Sequence, residues 1–418
     1  MERRCLIGVL LLYLASYCTS NEAFLTTDPD SNKNTSQLIA GKGYPVEEHN
    51  VTTQDSYVLM MQRIPAGRTE RSVQLDRKPA VILMSGLQAS SADFVVNMPD
   101  QSLGFILADN GYDVWLANVR GTRYSSHLHL KKSGREFWDF SLDEMISYDL
   151  PDQIDTVLNV TQQEALFYVG WSQGTAIMFG LLASKPEYNK KVVLFNAFAP
   201  IAFMGHLTAI LKYFVPFSNP LTRFLQFLFN GAVVEKEGAI FNRLKKLSCG
   251  SIKQGPLCIT AFYSFNGGLP IEWNKTRLPV YLANAPSGTS VRNMNHFAQL
   301  VKYNRLQKYD WGRVRNIAKY GKPWPPAYDL SSVKARVALY WSDRDVLATP
   351  RDVRDLSNKL PNVVLNYQVP VSGFTHMDFA WSIKAKDHLY KKVLEMMSVY
   401  SPTRQKVPLP KEAPELPQ

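Results

Sequence analysis

Residues 165–178 constrain the fold more than any other stretch. An apolar run at 165–169 leads into Gly170-Trp171-Ser172-Gln173-Gly174, and a small-residue stretch follows. The pentapeptide is a G-x-S-x-G pattern. It fits a sharp turn from a strand into a helix, in which the glycines let neighbouring backbone pass closely. Ser172 then sits in a strained conformation with its hydroxyl at the top of a sheet. Five residues alone are a weak signal, because a glycine-rich turn with a structural serine has the same spelling. The flanking strand and helix patterns are what favour the catalytic turn.

The surroundings repeat that rhythm. A short β-rich entry covers 37–65, with strands near 49–53 and 57–63. Apolar strands then fall at 80–85, 112–117, 165–170 and 191–197, separated by helical stretches at 103–110, 141–158 and 173–184. Such alternation predicts a parallel sheet with helices on both faces. From 203 to 329 the rhythm stops and gives way to aromatic helical segments, a cysteine pair and Pro/Gly stretches. Strands resume at 337–341 and 364–371, and a helix over 384–399 closes the pattern. The expected division is a core over 37–202 and 330–400, an inserted cap over 203–329, a mobile polar segment at 21–36 and a Pro-rich tail at 401–418. There are no internal repeats.

The N-terminus has a basic start, an apolar run at 5–14 and small residues near Ser20. That describes a signal peptide over 1–20, too short for a membrane span. Cys5 and Cys18 leave with it. In an oxidising compartment the remaining Cys249 and Cys258 read as one local disulfide, with two free thiols as the alternative. Asn34, Asn50, Asn159 and Asn274 lie in N-x-S/T sequons, which suit a glycosylated secretory-pathway protein. Net charge is +11, which favours contact with anionic surfaces such as lipid. The Lys and Arg are spread along the chain without a nucleic-acid signature, so nucleic acid is not an expected partner. Neither a cofactor nor a metal is expected, and oligomeric state has no sequence signal.

A serine hydroxyl is a poor nucleophile without a base. The α/β-hydrolase arrangement supplies Asp or Glu and then His, in that chain order, on loops after later strands. Asp345 follows strand 337–341 and His376 follows strand 364–371. Asp343 competes with Asp345, and spacing alone does not separate them. His388 also follows, but the closing helix hides it; most of the other histidines read as surface or local structural residues. An oxyanion hole needs two main-chain N–H groups. Gln173, after the serine, supplies one, and Leu87, in the loop after the early strand, supplies the other. The expected fold class is therefore α/β: an α/β-hydrolase fold with a mostly parallel central sheet and an inserted helical cap or lid.

The chain resembles the animal acid lipases, the family of gastric and lysosomal acid lipases. The likeness runs from about Gly43 to Met397. It rests on Gly43-Tyr-Pro-Val-Glu-Glu, Arg63-Ile-Pro, the segment Leu107 to Gly121, and Phe137-Trp-Asp-Phe-Ser-Leu-Asp-Glu-Met. It continues through Tyr148-Asp-Leu-Pro, Ser172-Gln-Gly-Thr, Pro286-Ser-Gly-Thr-Ser-Val-Arg-Asn-Met, Tyr309-Asp-Trp-Gly, Asp345-Val-Leu-Ala and His376-Met-Asp-Phe. The resemblance implies hydrolysis of neutral-lipid esters at a lipid–water interface, in a secreted or lysosomal setting. It also implies a helical cap with a mobile lid, and a cap disulfide matching Cys249–Cys258. It selects Asp345, because the family's acid sits just before the Leu-Ala element, and position 343 is usually glycine. Two positions depart from the family pattern: Trp171 and Ser85 stand where it usually has histidine. Those exchanges bear on acyl-chain fit, pH optimum or rate.

Residues 207–234 carry Tyr213, Phe214, Phe217, Phe224, Phe227 and Phe229, which read either as cap core or as the apolar face of a lid. Two other function classes fit the same framework: a lipid-binding carrier with weakened turnover, and a short-ester esterase or acyltransferase.

Overall fold

The computed structural model of the chain describes residues 28–68, 78–228, 230–233 and 272–401. The strands are β1 (Glu47–Thr52), β2 (Tyr57–Ile64), β3 (Ala80–Met84), β4 (Asp113–Ala117), β5 (Ser125–His127), β6 (Leu166–Trp171), β7 (Val192–Phe198), β8 (Ala232–Val233), β9 (Thr289–Ser290), β10 (Val337–Trp341) and β11 (Val363–Gln368). The main sheet runs β1-β2-β4-β3-β6-β7-β10-β11, with β5 also on β2. From β4 to β11 every neighbouring pair is parallel, whereas β2 is antiparallel to β1, β4 and β5.

The central strands β3, β4 and β6 are buried at every residue. Their near-continuous apolar sequences follow from helices covering both faces. The edge strand β1 is mostly exposed. Helices Leu103–Asp109, Leu150–Thr161, Gln173–Ser184 and Pro350–Ser357 connect successive strands, and Lys391–Tyr400 closes the fold. Because the strands are parallel, the loops after β3, β6, β10 and β11 open at one edge of the sheet, where ligands of open α/β sheets bind.

Helix Gln173–Ser184 has the bounds read from the sequence. The stretch 141–158 contains the expected amphipathic helix, Leu150–Thr161, preceded by a short turn of helix at Leu142–Glu144 and a wide π-turn at Met145–Asp149. Pro151 lacks an N–H for the carbonyl of Ser147, and that carbonyl accepts from Lys185 Nζ instead (2.9 Å). Asp149, in the same turn, is drawn to Arg120, whose N and Nε both donate to it (2.9 and 2.8 Å).

Within the segment 21–36, expected to be mobile, the described residues 28–36 form regular structure. A 3-10 turn covers Pro29–Asn32, and Asn34 caps helix Thr35–Gly41 reciprocally with Gln37. Asp30 is buried among Lys33, Lys42 and Arg277. The polar composition of this stretch marks a capped turn and a buried ion-pair cluster instead of a solvated leader.

The chain leaves the sheet at Phe198 and rejoins it at Val337. The described part of this insertion holds helices Ser218–Leu228, Leu278–Asn284, Val291–Tyr303 and Arg313–Tyr320, and the small pair β8–β9. Tyr213 and Phe224 are exposed. The side chains of Phe214, Phe217, Phe227 and Phe229 lie outside the described part, as do Cys249, Cys258, residues 1–27 and residues 402–418. Asn34, Asn50 and Asn159 are exposed and Asn274 is half-buried. Among the described residues no helix is long and apolar enough to cross a membrane.

Candidate active site

Strand β6 delivers the backbone into a turn that only glycine allows on either side. A Cβ on Gly174 would lie 2.4 Å from the carbonyl oxygen of Met84, at the end of β3, and one on Gly170 would lie 2.8 Å from Gly174 C. Between them Ser172 adopts φ 54° and ψ −117°, a conformation costly for any residue with a side chain. The surroundings over-determine it. Ser172 N donates to Phe198 O (3.0 Å), and Ser172 O accepts from Thr175 N (2.9 Å) and Thr175 Oγ1 (2.6 Å). Thr175 Oγ1 in turn accepts from Ile201 N (2.8 Å). The side chain of Ser172 is thereby held at the open edge of the sheet.

The loops after β10 and β11 meet beside this turn. His376 Nδ1 lies 2.7 Å from Asp345 Oδ2, and both residues are 3% exposed. The other oxygen of Asp345 accepts from Leu347 N (2.8 Å) and Ala348 N (2.9 Å). These two amides and the imidazole together fix the orientation of the Asp345 side chain. Asp343 is exposed. Of the two aspartates that spacing left open, Asp345 is the one paired with the imidazole.

Contacts of Trp171, Ser342 and Asp378 hold the loop that carries His376. Trp171 Nε1 donates to His376 O (3.1 Å), and the two rings lie 5.7 Å apart. Ser342 Oγ donates to Phe374 O (2.7 Å), tying the two loops together. Asp378 accepts from Thr375 N (2.6 Å), Thr375 Oγ1 (2.7 Å) and Trp273 Nε1 (2.9 Å). Burial pushes the Asp378 carboxyl above its ordinary value, against these hydrogen bonds, which pull the other way.

The loop after β3 lies directly against the serine. A Cβ on Gly86 would sit 3.2 Å from Ser172 Cβ and 3.6 Å from its Oγ. Leu87, half-buried, follows. Gln88 has φ 59°, and its carbonyl accepts from Ser287 N (2.6 Å). Gln173 opens its helix, so its N–H has no partner within the helix. Its side chain accepts from Asn293 Nδ2 (2.7 Å), which also donates to Thr289 Oγ1 (3.0 Å). The stretch 287–293 therefore clamps both segments expected to supply oxyanion donors. Sequence reasoning assigned no role to Asn293, Ser287 or Asp378. All three lie in segments quoted for the family likeness, which was the one available signal.

Among the described residues, His206, Asp352 and Asp355 bring metal-ligand types together. Asp352 there accepts from His206 N, from Thr349 Oγ1 (2.9 Å), and pairs with His206 Nδ1 (2.7 Å). Its oxygens are occupied in joining the start of the insertion to helix Pro350–Ser357.

A strained serine turn after a central parallel strand, beside a His–Asp pair carried by later strands, defines an α/β hydrolase. Comparison with known proteins agrees. The partial alpha/beta-hydrolase lipase region matches residues 35–98, and the alpha/beta hydrolase fold matches residues 79–382. Gastric triacylglycerol lipase of Bos taurus is 36% identical over 94% of this chain and 98% of its own. Lysosomal acid lipase/cholesteryl ester hydrolase of Homo sapiens is 36% identical over 94% and 98%. Lipase lipl-5 of Caenorhabditis elegans is 37% identical over 92% and 97%. Among solved structures, a bacterial membrane phospholipase A shares the fold, with TM-score 0.50 and 14% identity over 96% of this chain and 99% of that one. The chain belongs to the α/β-hydrolase lipase family and is a carboxylic-ester hydrolase.

Proposed function

We propose that this enzyme hydrolyses neutral-lipid esters, triacylglycerols or cholesteryl esters, through an acyl-enzyme intermediate on Ser172. Its most similar relatives include enzymes named for each of those substrates. The observation that carries the reading is the pairing of His376 with Asp345 (2.7 Å), on a loop bound to Trp171, next to the strained serine.

His376 Nε2 takes the Ser172 proton as Oγ attacks the ester carbonyl. The N–H groups of Leu87 and Gln173 stabilise the developing oxyanion, each by about 3 kcal/mol. The tetrahedral intermediate collapses, the C–O bond to the alcohol breaks, and His376 returns the proton to the leaving alcohol. Water then attacks the acyl-enzyme by the same route and releases the fatty acid. Burial of a long acyl chain under the inserted segment contributes about 0.8 kcal/mol per CH₂. The signal-peptide-like N-terminus, the sequons and the relatives support a secretory-pathway location, extracellular or lysosomal. Cys249 and Cys258 are assigned to a disulfide, and residues 203–329 to the cap.

The test is steady-state hydrolysis of triolein, cholesteryl oleate and a dissolved short-chain ester by wild type and Ser172→Ala. The expected result is turnover of at least one emulsified long-chain ester, reduced by roughly 10⁵-fold or more in the variant. Wild type that turns over only the dissolved ester, or a variant that matches it, contradicts the reading.

A further inference from the structure

Helix Arg313–Tyr320 and the stretch to Trp324 are arranged in a way that ester hydrolysis does not explain. A helix on a soluble core ordinarily turns its apolar stripe inward. This one does the reverse. Its single buried residue is the polar Asn316. Asn316 Nδ2 donates to Asp310 Oδ1 (2.7 Å) and Pro323 O (3.2 Å), and its Oδ1 accepts from Trp311 N (2.9 Å). Tyr320, one turn on, bonds Tyr309 O (2.9 Å) on the same inward side.

At 3.6 residues per turn, Val314 and Ala318 then lie opposite Asn316, and Ile317 lies on the flank beside them, so the three form one outward stripe. Val314 is 81% exposed and Ile317 48%; Trp324, directly after the anchored Pro323, is 60% exposed. These side chains stand on backbone that the hydrogen bonds of Asn316 and Tyr320 hold in place.

Charge accompanies the apolar face. Between Trp311 and Tyr328 the chain has Arg313, Arg315, Lys319 and Lys322 and no acidic residue. All four cations are exposed. By helical position Arg313 borders one side of the stripe, and Arg315 and Lys319 the other. A second copy of the chain docked symmetrically here would bring these cations face to face, which is repulsive. Lys319 also lies over the Trp311 ring (4.7 Å), but a purely neutral surface would satisfy the apolar residues and offer the cations no opposite charge. An anionic lipid surface satisfies both.

We propose that this face docks the enzyme onto an anionic phospholipid surface, with Val314, Ile317 and Trp324 entering the headgroup boundary and the four cations on the headgroups. The site shares no residue with the Ser172 machinery, so it stands or falls separately from that reading.

The test is co-sedimentation of the full-length protein with vesicles of ether-linked phosphatidylcholine, alone or with about one fifth phosphatidylserine. Ether lipids offer no ester to hydrolyse. The variants are Val314→Ser/Ile317→Ser/Trp324→Ser and, independently, Arg313→Glu/Arg315→Glu. Wild type should sediment with the anionic vesicles and be released by salt. Each variant should lose roughly tenfold or more of that binding while hydrolysing a dissolved ester within about twofold of wild type. Equal binding to neutral vesicles, or variants that bind like wild type, would overturn the proposal. So would a wild-type dimer that the same substitutions dissociate. Loss of dissolved-ester hydrolysis by wild type would count against the ester reading and leave this one standing.

Discussion

Asp343 and Asp345 are two residues apart, yet their surroundings differ completely. One is exposed; the other holds two backbone N–H groups and an imidazole. Asp345→Asn should lower kcat by about 10⁴-fold, because an amide cannot fix the useful tautomer. Asp343→Asn should change it by less than about threefold. Steady-state kinetics on one ester compares them. Trp171 acts through His376: its N–H fixes the carbonyl of that residue, so it is a positioning residue. Trp171→Phe keeps the ring and loses the hydrogen bond. It should lower kcat about fivefold with KM nearly unchanged and reshape the acid side of the pH–rate profile. The strained turn at Ser172 and the position of His376 on the loop after β11 were legible in the sequence, because pattern and chain order specify them. The aspartate was open on spacing alone, since what separates the two candidates is which one the Leu347 and Ala348 amides reach. The bond from Trp171 to His376 spans 205 residues, and no local pattern encodes it.

At the scale of elements, the active site depends on how closely helix Gln173–Ser184 and strand β3 approach. Gly174 permits that approach, and a methyl group there would collide with the Met84 carbonyl at 2.4 Å. Gly174→Ala should destabilise the protein by about 3 kcal/mol and reduce hydrolysis with it, read by chemical denaturation alongside activity. The close contact is backbone, which cannot rotate aside. Periodicity located this helix and the central strands because both are dominated by local pattern. It found the helix within 141–158 but not its start, which Pro151 and the pull of Arg120 on Asp149 place at Leu150 after a π-turn. Arg120, 1% exposed, also binds Asp55 through both terminal nitrogens (2.7 and 2.9 Å). Burial works to raise the Asp55 carboxyl, but hydrogen bonding and charge from Arg120 hold it below its ordinary value. That network sets where the helix breaks, and its members are far apart in sequence.

At the scale of the molecule, the N-terminal turn, the core and the insertion are joined through Asp30 and Arg277. Arg277 donates to Asp30, to Asp28 and twice to Val96 O. Burial alone would raise the Asp30 carboxyl; Lys33, Lys42 and Arg277 outweigh it and hold it well below the carboxylate range. A carboxyl lowered on folding adds stability that is complete above an unfolded value of about 4 and is lost as pH falls through the folded value. Asp30→Asn should therefore destabilise the protein by about 3 kcal/mol at pH 7. Its deficit against wild type should shrink in strongly acidic solution, as denaturation midpoints at both pH values would record. The departure of the chain from the main sheet between Phe198 and Val337 was legible as a break in the strand–helix rhythm. The order of residues 28–36 was not, because their principal partner lies some 250 positions away in the chain. The claim on which the functional reading rests is that Ser172 is the nucleophile. Its most direct measurement is reaction with a long-chain p-nitrophenyl phosphonate, followed by peptide mass spectrometry. One phosphonyl group on the peptide containing Ser172, gained in step with loss of hydrolysis and absent from Ser172→Ala, is the expected result. Complete inactivation with the adduct on another residue, or with Ser172 unmodified, would contradict it.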